Sequence, residues 1–289
     1  MANLNVKNTA RTIEELKDLS YQMSRTIIEI TTRAGSGHPS SSLSAIDLLT
    51  VLYFGGVMRY DPQRPEWPER DRFILSKGHA SPGLYTVLAY AGYFEKSMLN
   101  GLRTFNSPLE GHPVMRSVAG VEASTGSLGQ GLSIGLGHAL AARIDGRDYR
   151  VYVMIGDGES DEGQIWEAAM AAAKYKTGNL TAILDFNRYQ QTGPMEEVMP
   201  SMVPVADKWR AFGWSTQEID GHNLEQITTA FQQIRQVQDQ PQILIAHTDK
   251  GKRLSPFVKD AVGRKHGVTL TEEETQVALR ELEERYARR

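Results

Sequence analysis

The sequence predicts an α/β protein: a doubly wound, mainly parallel sheet flanked by helices. Three observations carry this reading. Strand-length segments recur at 72–76, 151–155, 180–184, 214–219 and 242–247, the second and third of them apolar runs suited to buried strands. Stretches with helical periodicity separate them, the alternation that βαβ units produce. Finally, Asp157 and Asn187 stand just past the second and third runs, thirty residues apart, and the carboxyl ends of parallel strands are where such sheets bind ligands.

The elements follow in order. Thr12 and Glu15 have the spacing of a capping box, and Leu16, Leu19, Met23, Ile27 and Ile30 form an apolar stripe, so a first helix ends near Gly35. It delivers the chain to Gly35-Ser36-Gly37-His38-Pro39. A second helix is expected over 44–54, then a Pro-rich surface segment at 62–68. Beyond the first strand come a helix at 84–92 and one opened by Gly129-Gln130-Gly131. The alanine-rich 164–176 is the crossover between the second and third strands. Helices at 205–212 and 224–237 separate the last strands. Residues 248–267 lack periodicity and read as a long loop, functional by its length. Thr271 and Glu274 cap a charged terminal helix over 270–289.

At 289 residues, length alone suggests about two domains, but the alternating elements make one, spanning 1–289. Net charge is −3 with both signs interspersed, which gives no case for nucleic acid or anionic membrane as partner. The one basic cluster, Lys250-Gly251-Lys252-Arg253, reads as a solvated loop. With no cysteine, thiolate nucleophiles, disulfides and zinc-finger sites are excluded. The polar first ten residues and the absence of a long apolar run imply a soluble, cytoplasmic protein.

Chemistry concentrates at the strand ends. A carboxylate, Asp157, and an amide oxygen, Asn187, form a hard donor set that suits Mg²⁺, an ion that fills its remaining positions with water and phosphate oxygens. Gly156 and Gly158 on either side let a diphosphate approach the main chain. Asp-Gly is also a common turn pair, but a second polar residue at the end of the neighbouring strand favours a Mg²⁺-diphosphate site. Four of the seven histidines, His38, His79, His112 and His266, sit beside glycine or proline in polar loops, where imidazole can donate, accept or carry a proton near neutral pH. His138, His222 and His247 read as structural. Glu162 begins a helix, where the dipole favours any acid; Glu159 and Asp161 read as solvated.

The segment from Gly156 to Ala168, with Asn187 after it, resembles the thiamine-diphosphate signature in its transketolase form. Gly35-Ser36-Gly37-His38-Pro39, Leu75-Ser76-Lys77-Gly78-His79, Gly111-His112-Pro113, Gly126-Ser127-Leu128-Gly129-Gln130-Gly131 and Lys265-His266-Gly267 are similar to further transketolase motifs, in family order. The match covers the amino-terminal, diphosphate-binding part of a transketolase, the PP-domain fold. The resemblance implies thiamine diphosphate and Mg²⁺ as cofactors, with Asp157, Asn187 and the main-chain carbonyl of Tyr189 on the metal. It places Gly156, Gly158, Glu159, Asn187, His79 and His266 at the diphosphate, and Gly126, Ser127 and Leu128 along the cofactor rings. It gives His38, His112 and His266 to the sugar channel as catalytic groups, and puts Glu162 between the two active sites of a dimer. Ser127 stands where many transketolases have Pro, Ser40 where Gly is frequent, and Tyr189 where an aliphatic residue is frequent.

The implied activity is transfer of a two-carbon ketol unit from a ketose, or ketose phosphate, to an aldose. The glutamate that activates the cofactor lies in this family on a separate pyrimidine-binding domain. Only about twenty residues follow Gly267, so the resemblance also implies a partner: a carboxy-terminal transketolase subunit of similar size, in an α₂β₂ assembly. Three alternatives remain at this point. Two are enzymes, a thiamine-dependent subunit of a 2-oxo acid dehydrogenase and a deoxyxylulose-phosphate synthase relative; the third is a non-catalytic cofactor-binding regulatory subunit.

Overall fold

A computed structural model describes residues 10–258 and 265–288. The middle of the expected 248–267 loop and the first nine residues lie outside the described residues.

Five strands, β1 (Arg72–Leu75), β2 (Val151–Gly156), β3 (Leu180–Phe186), β4 (Ser215–Asp220) and β5 (Gln242–His247), form one sheet in the order β1-β2-β3-β5-β4. Every pairing is parallel. The strands β1, β2 and β3 are buried along their whole length, which is why they read as continuous apolar runs rather than alternating ones. Alternation is present all the same, between two hydrophobic cores. Tyr152, Met154, Ile183, Leu244 and Ala246 face one, while Val151, Val153, Ile155, Ala182, Leu184, Ile243 and Ile245 face the other.

The first core is covered by α1 (Ile13–Ala34), α2 (Pro39–Phe54), α3 (Ser81–Ala91), α8 (Leu224–Ile234) and the terminal α10 (Glu272–Ala287). The second is covered by α4 (Gln130–Ile144), α5 (Gly163–Lys174) and α7 (Val205–Ala211), with the short α6 (Met195–Val198) beside it. Both expected capping boxes form, Thr12 with Glu15 and Thr271 with Glu274.

Several boundaries differ from expectation. The second helix begins at Pro39, five residues before the expected 44, because proline fits a first helical turn. Its serines, which have modest helix propensity, are buried and find acceptors: Ser42 Oγ donates to the His38 carbonyl at 3.0 Å and Ser44 Oγ to the Asp185 carboxylate at 2.6 Å. The third helix likewise starts early, at Ser81 beside Pro82, and α8 ends at Ile234 rather than 237. Residues 248–267 are not wholly irregular, since α9 (Ser255–Val258) interrupts them.

Candidate active site

The register of the sheet builds the site. Gly156 on β2 lies opposite Asp185 on β3, which lies opposite Ala246 on β5. Asp157, Asn187 and Thr248, each one residue past its strand, therefore gather at one edge. Above them opens a cavity of about 360 Å³.

On its floor, Asp157 is 3% exposed. Its Oδ1 accepts from the Gly158 amide at 2.8 Å, while its Oδ2 is buried and has no hydrogen-bond partner among the described residues. Burial, with the Asp185 carboxylate as the second cause, pushes the Asp157 pKa up to about 6. A buried carboxylate that is only half satisfied is suited to a cation as its remaining partner. Asn187 is 5% exposed; its Oδ1 accepts from the Tyr189 amide at 3.2 Å. Tyr189 supplies a main-chain carbonyl to the same cavity. No group of three His, Cys, Asp or Glu side chains is arranged to hold a metal ion among the described residues; the donors at the floor are instead a carboxylate, an amide oxygen and a carbonyl, a hard set that fits Mg²⁺.

Three imidazoles line the wall. The rings of His38 and His79 are 5.0 Å apart, and each is 5.2 Å from His266. They come from three separate loops, which is why no local pattern reveals the triangle. Burial above all, then the charges of Arg103, Lys250 and Lys77 nearby, lower the pKa of His38 to about 4; burial and Lys250 lower His266 to about 3, and burial takes His79 well below its ordinary value. His112 is more exposed, and burial with Arg103 lowers it too. Its ring packs on Gly126 (φ 148°), where a Cβ would lie 3.1 Å from it. Gly158 faces Gln190 in the same way, at 3.1 Å.

Two lysines complete the cavity, and sequence reasoning missed both as site residues. Lys77, 1% exposed, pairs with the Asp185 carboxylate and donates to the Ser41 carbonyl at 3.2 Å. Asp185 also accepts from Thr248 Oγ1 and Ser44 Oγ, and these donors with Lys77 outweigh burial and hold its carboxyl below the usual range. Lys250, 2% exposed, donates to the Tyr189 carbonyl at 2.8 Å and lies 2.6 Å from His266 Nδ1. Of the Lys250–Arg253 cluster only Arg253 is solvated as expected; Lys250 and Gly251 are buried and Lys252 is half-buried. Charge alone gave no hint of this, because the burial of Lys250 comes from the fold of the following turn. For Lys77 the signal was its place within the Leu-Ser-Lys-Gly-His motif.

Glu159 also departs from expectation. It is 2% exposed rather than solvated, and its carboxylate is committed inward, accepting from Ser76 Oγ, the Gly129 amide at 2.9 Å and the Gly156 amide at 3.1 Å. It ties the Gly156 turn to the Gly129 turn, so it shapes the cavity from behind. Asp161 is partly buried. His38, His79, His112, Gly126, Leu128, Gly156, Asp157, Gly158, Glu159, Asn187, Tyr189 and His266 all border the cavity; Ser127 and Glu162 are exposed and do not.

The thiamine diphosphate binding domain of the transketolase family matches residues 19–285. The chain is 44% identical over 273 residues to the 6-deoxy-6-sulfo-D-fructose transketolase subunit SqwG of Clostridium sp. (strain MSTE9), covering 93% of this chain and 98% of that one. It is 43% identical to an apulose-4-phosphate transketolase subunit of Phocaeicola vulgatus, covering 94% of this chain and 95% of that one. Against longer relatives it spans about two fifths of their length. The Homo sapiens transketolase is 43% identical over 244 residues, 84% of this chain and 38% of that protein. The crystal structure of the Campylobacter jejuni transketolase superposes with a TM-score of 0.86 at 30% identity, over 94% of this chain and 43% of that one. The chain belongs to the transketolase family of thiamine-diphosphate-dependent transferases, as the thiamine diphosphate binding part that two bacterial relatives carry on a subunit of matching length.

Proposed function

We propose that this chain is the amino-terminal subunit of a split transketolase, a single diphosphate-binding domain that works with a carboxy-terminal subunit in an α₂β₂ assembly, in the cytoplasm. The observation that carries the site reading is the buried Asp157 Oδ2 without a partner among the described residues, at the foot of a cavity walled by neutral imidazoles and two ammonium groups. Asp157, Asn187 and the Tyr189 carbonyl would hold Mg²⁺, and Gly156, Gly158, His79, His266, Lys77 and Lys250 would receive the diphosphate. Gly126 and Leu128 would border the rings. When bound, thiamine diphosphate supplies the electron sink for breaking and forming the carbon–carbon bond.

The chain's own residues bind, orient and move protons. His38 and His112, neutral at pH 7 because burial and Arg103 disfavour their charged forms, are placed to accept a proton from a sugar hydroxyl and return it. Glu162, exposed beside Gly129, can meet a second copy of this chain within the assembly. The sugars that name the Clostridium and Phocaeicola relatives, 6-deoxy-6-sulfo-D-fructose and apulose 4-phosphate, each carry an anionic group, which favours an anionic ketose as donor here. Calorimetry with thiamine diphosphate, with and without Mg²⁺, tests the site. Metal-independent binding would refute it. Turnover of ketose phosphates and not pyruvate, once the partner is added, tests the reaction.

A further inference from the structure

Lys250 stands in a turn closed by the Lys252 N–H donating to the Asp249 carbonyl at 2.8 Å, but its backbone is one that side chains strain. Gly251, Lys252 and Arg253 have φ of 76°, 48° and 60°, a left-handed region that lysine and arginine seldom occupy without support. Two main-chain bonds fix the turn at either side, Thr248 N–H to the Phe186 carbonyl at 3.3 Å and Gly251 N–H to the Ser40 carbonyl at 3.0 Å. Its middle is held from behind the cavity.

There Asp47 on α2 is 2% exposed. One carboxylate oxygen accepts from Lys252 Nζ at 2.8 Å and from Ser20 Oγ, and the other meets His222 Nδ1 at 2.9 Å. His222 Nε2 stands 2.9 Å from the Asp249 amide. An amide N–H can only donate, so Nε2 is the acceptor and Nδ1 carries the proton toward Asp47. His222 itself reaches this place because Gly221 passes under Thr248; a Cβ on Gly221 would lie 2.4 Å from Thr248 Cγ2. Burial would raise the Asp47 carboxyl, but Lys252 and His222 outweigh it and hold it well below the usual range.

We infer that Asp47 and His222 clamp the turn on both sides of Lys250, through Lys252 and the Asp249 amide, and so aim its ammonium into the cavity. Both are positioning residues for diphosphate recognition, an assignment resting on the reading of Lys250 as a diphosphate contact. His222, which reads from sequence as structural, thereby acts on the cofactor without touching it.

The test uses the full chain saturated with Mg²⁺, with thiamine diphosphate and thiamine monophosphate titrated by calorimetry and folding followed by thermal melting. Lys250→Met and His222→Phe should each weaken diphosphate binding about tenfold or more, the loss expected for one charge-assisted hydrogen bond, with a smaller effect on the monophosphate. The double variant should bind no more weakly than Lys250→Met alone, since the clamp acts only through that lysine. His222→Gln, whose Oε1 can accept from the Asp249 amide, should recover most of the affinity. If His222→Phe does not fold, Asp47→Asn is combined with Lys250→Met in its place. Additive losses, or a His222→Phe chain that binds diphosphate like the parent, overturn the clamp. A Lys250→Met chain with parental affinity instead removes Lys250 from the diphosphate site, and the clamp's proposed role with it.

Discussion

The Lys250 ammonium and the Tyr189 main-chain carbonyl are hydrogen-bonded at 2.8 Å, so the lysine holds the oxygen proposed as a metal donor. The His266 Nδ1 at 2.6 Å from the same ammonium must accept, because an ammonium has no lone pair. That leaves Nε2–H of His266 for a ligand. A divalent ion arriving at Tyr189 would repel the ammonium toward the diphosphate oxygens. Lys250→Met should therefore keep Mg²⁺ affinity while losing about ten- to a hundredfold in thiamine diphosphate affinity, as measured by separate titrations of the two ligands.

Asp157→Asn should trade function for stability. A carboxyl whose pKa is raised from 3.8 to about 6 by burial destabilises the fold at pH values above both, by about 3 kcal/mol for a shift of that size. The cofactor-free variant should melt higher than the parent at pH 7.5 and lose Mg²⁺-dependent cofactor binding. A lower melting temperature would remove the unpaired carboxylate as the site's source of strain.

Acid should act through the histidines in the opposite sense. His38 and His266 titrate near 4 and 3 in the folded chain but near 6.5 when unfolded. Between those values the unfolded chain binds protons the folded one refuses, so stability falls as pH drops from about 6.5 toward 4. Asp157 opposes this trend in part of the same range, so the fall should be steeper in Asp157→Asn. Thermal melts from pH 7.5 to 4.5 would show it, and added thiamine diphosphate, whose charge favours protonated imidazole, should flatten the curve.

His38→Ala and His112→Ala should retain cofactor affinity and lose ~10²–10⁴ in turnover, the range for general acid–base groups. Titration calorimetry beside steady-state kinetics separates the two quantities. Equal losses in both would make these histidines loop residues.

Alone, the chain should not turn over xylulose 5-phosphate and ribose 5-phosphate, because the activating glutamate belongs to the proposed partner. Ketol transfer by the purified chain at roughly 1–10³ s⁻¹ would refute the split-enzyme reading.

Much of the fold was legible because buried parallel strands are continuous apolar runs. The expected bounds of β5 match those observed, and the others differ by a residue or two. The helix starts at Pro39 and Ser81 were not legible, since serine propensity says little once a hydroxyl finds a buried acceptor. In the site, Asp157 and Asn187 announce themselves by position after a strand. The histidine triangle does not, because its members come from distant loops, and Lys250 hides in a turn whose burial depends on Asp47, two hundred residues earlier in the chain.

All sixteen residues of helix α2 are buried, so it has no face toward water and no partial way to open. Its amides can exchange with solvent only when the helices α1, α3 and α8 packed around it, or the sheet, come apart. It runs from beside His38 at the cavity to Asp47 and on to Phe54, so the His38 side of the pocket inherits the durability of the whole fold. Heat, denaturant or protease should therefore disable this protein first at the mouth of the cavity, and a chain that has lost its catalytic walls should still keep an intact base to rebuild them on.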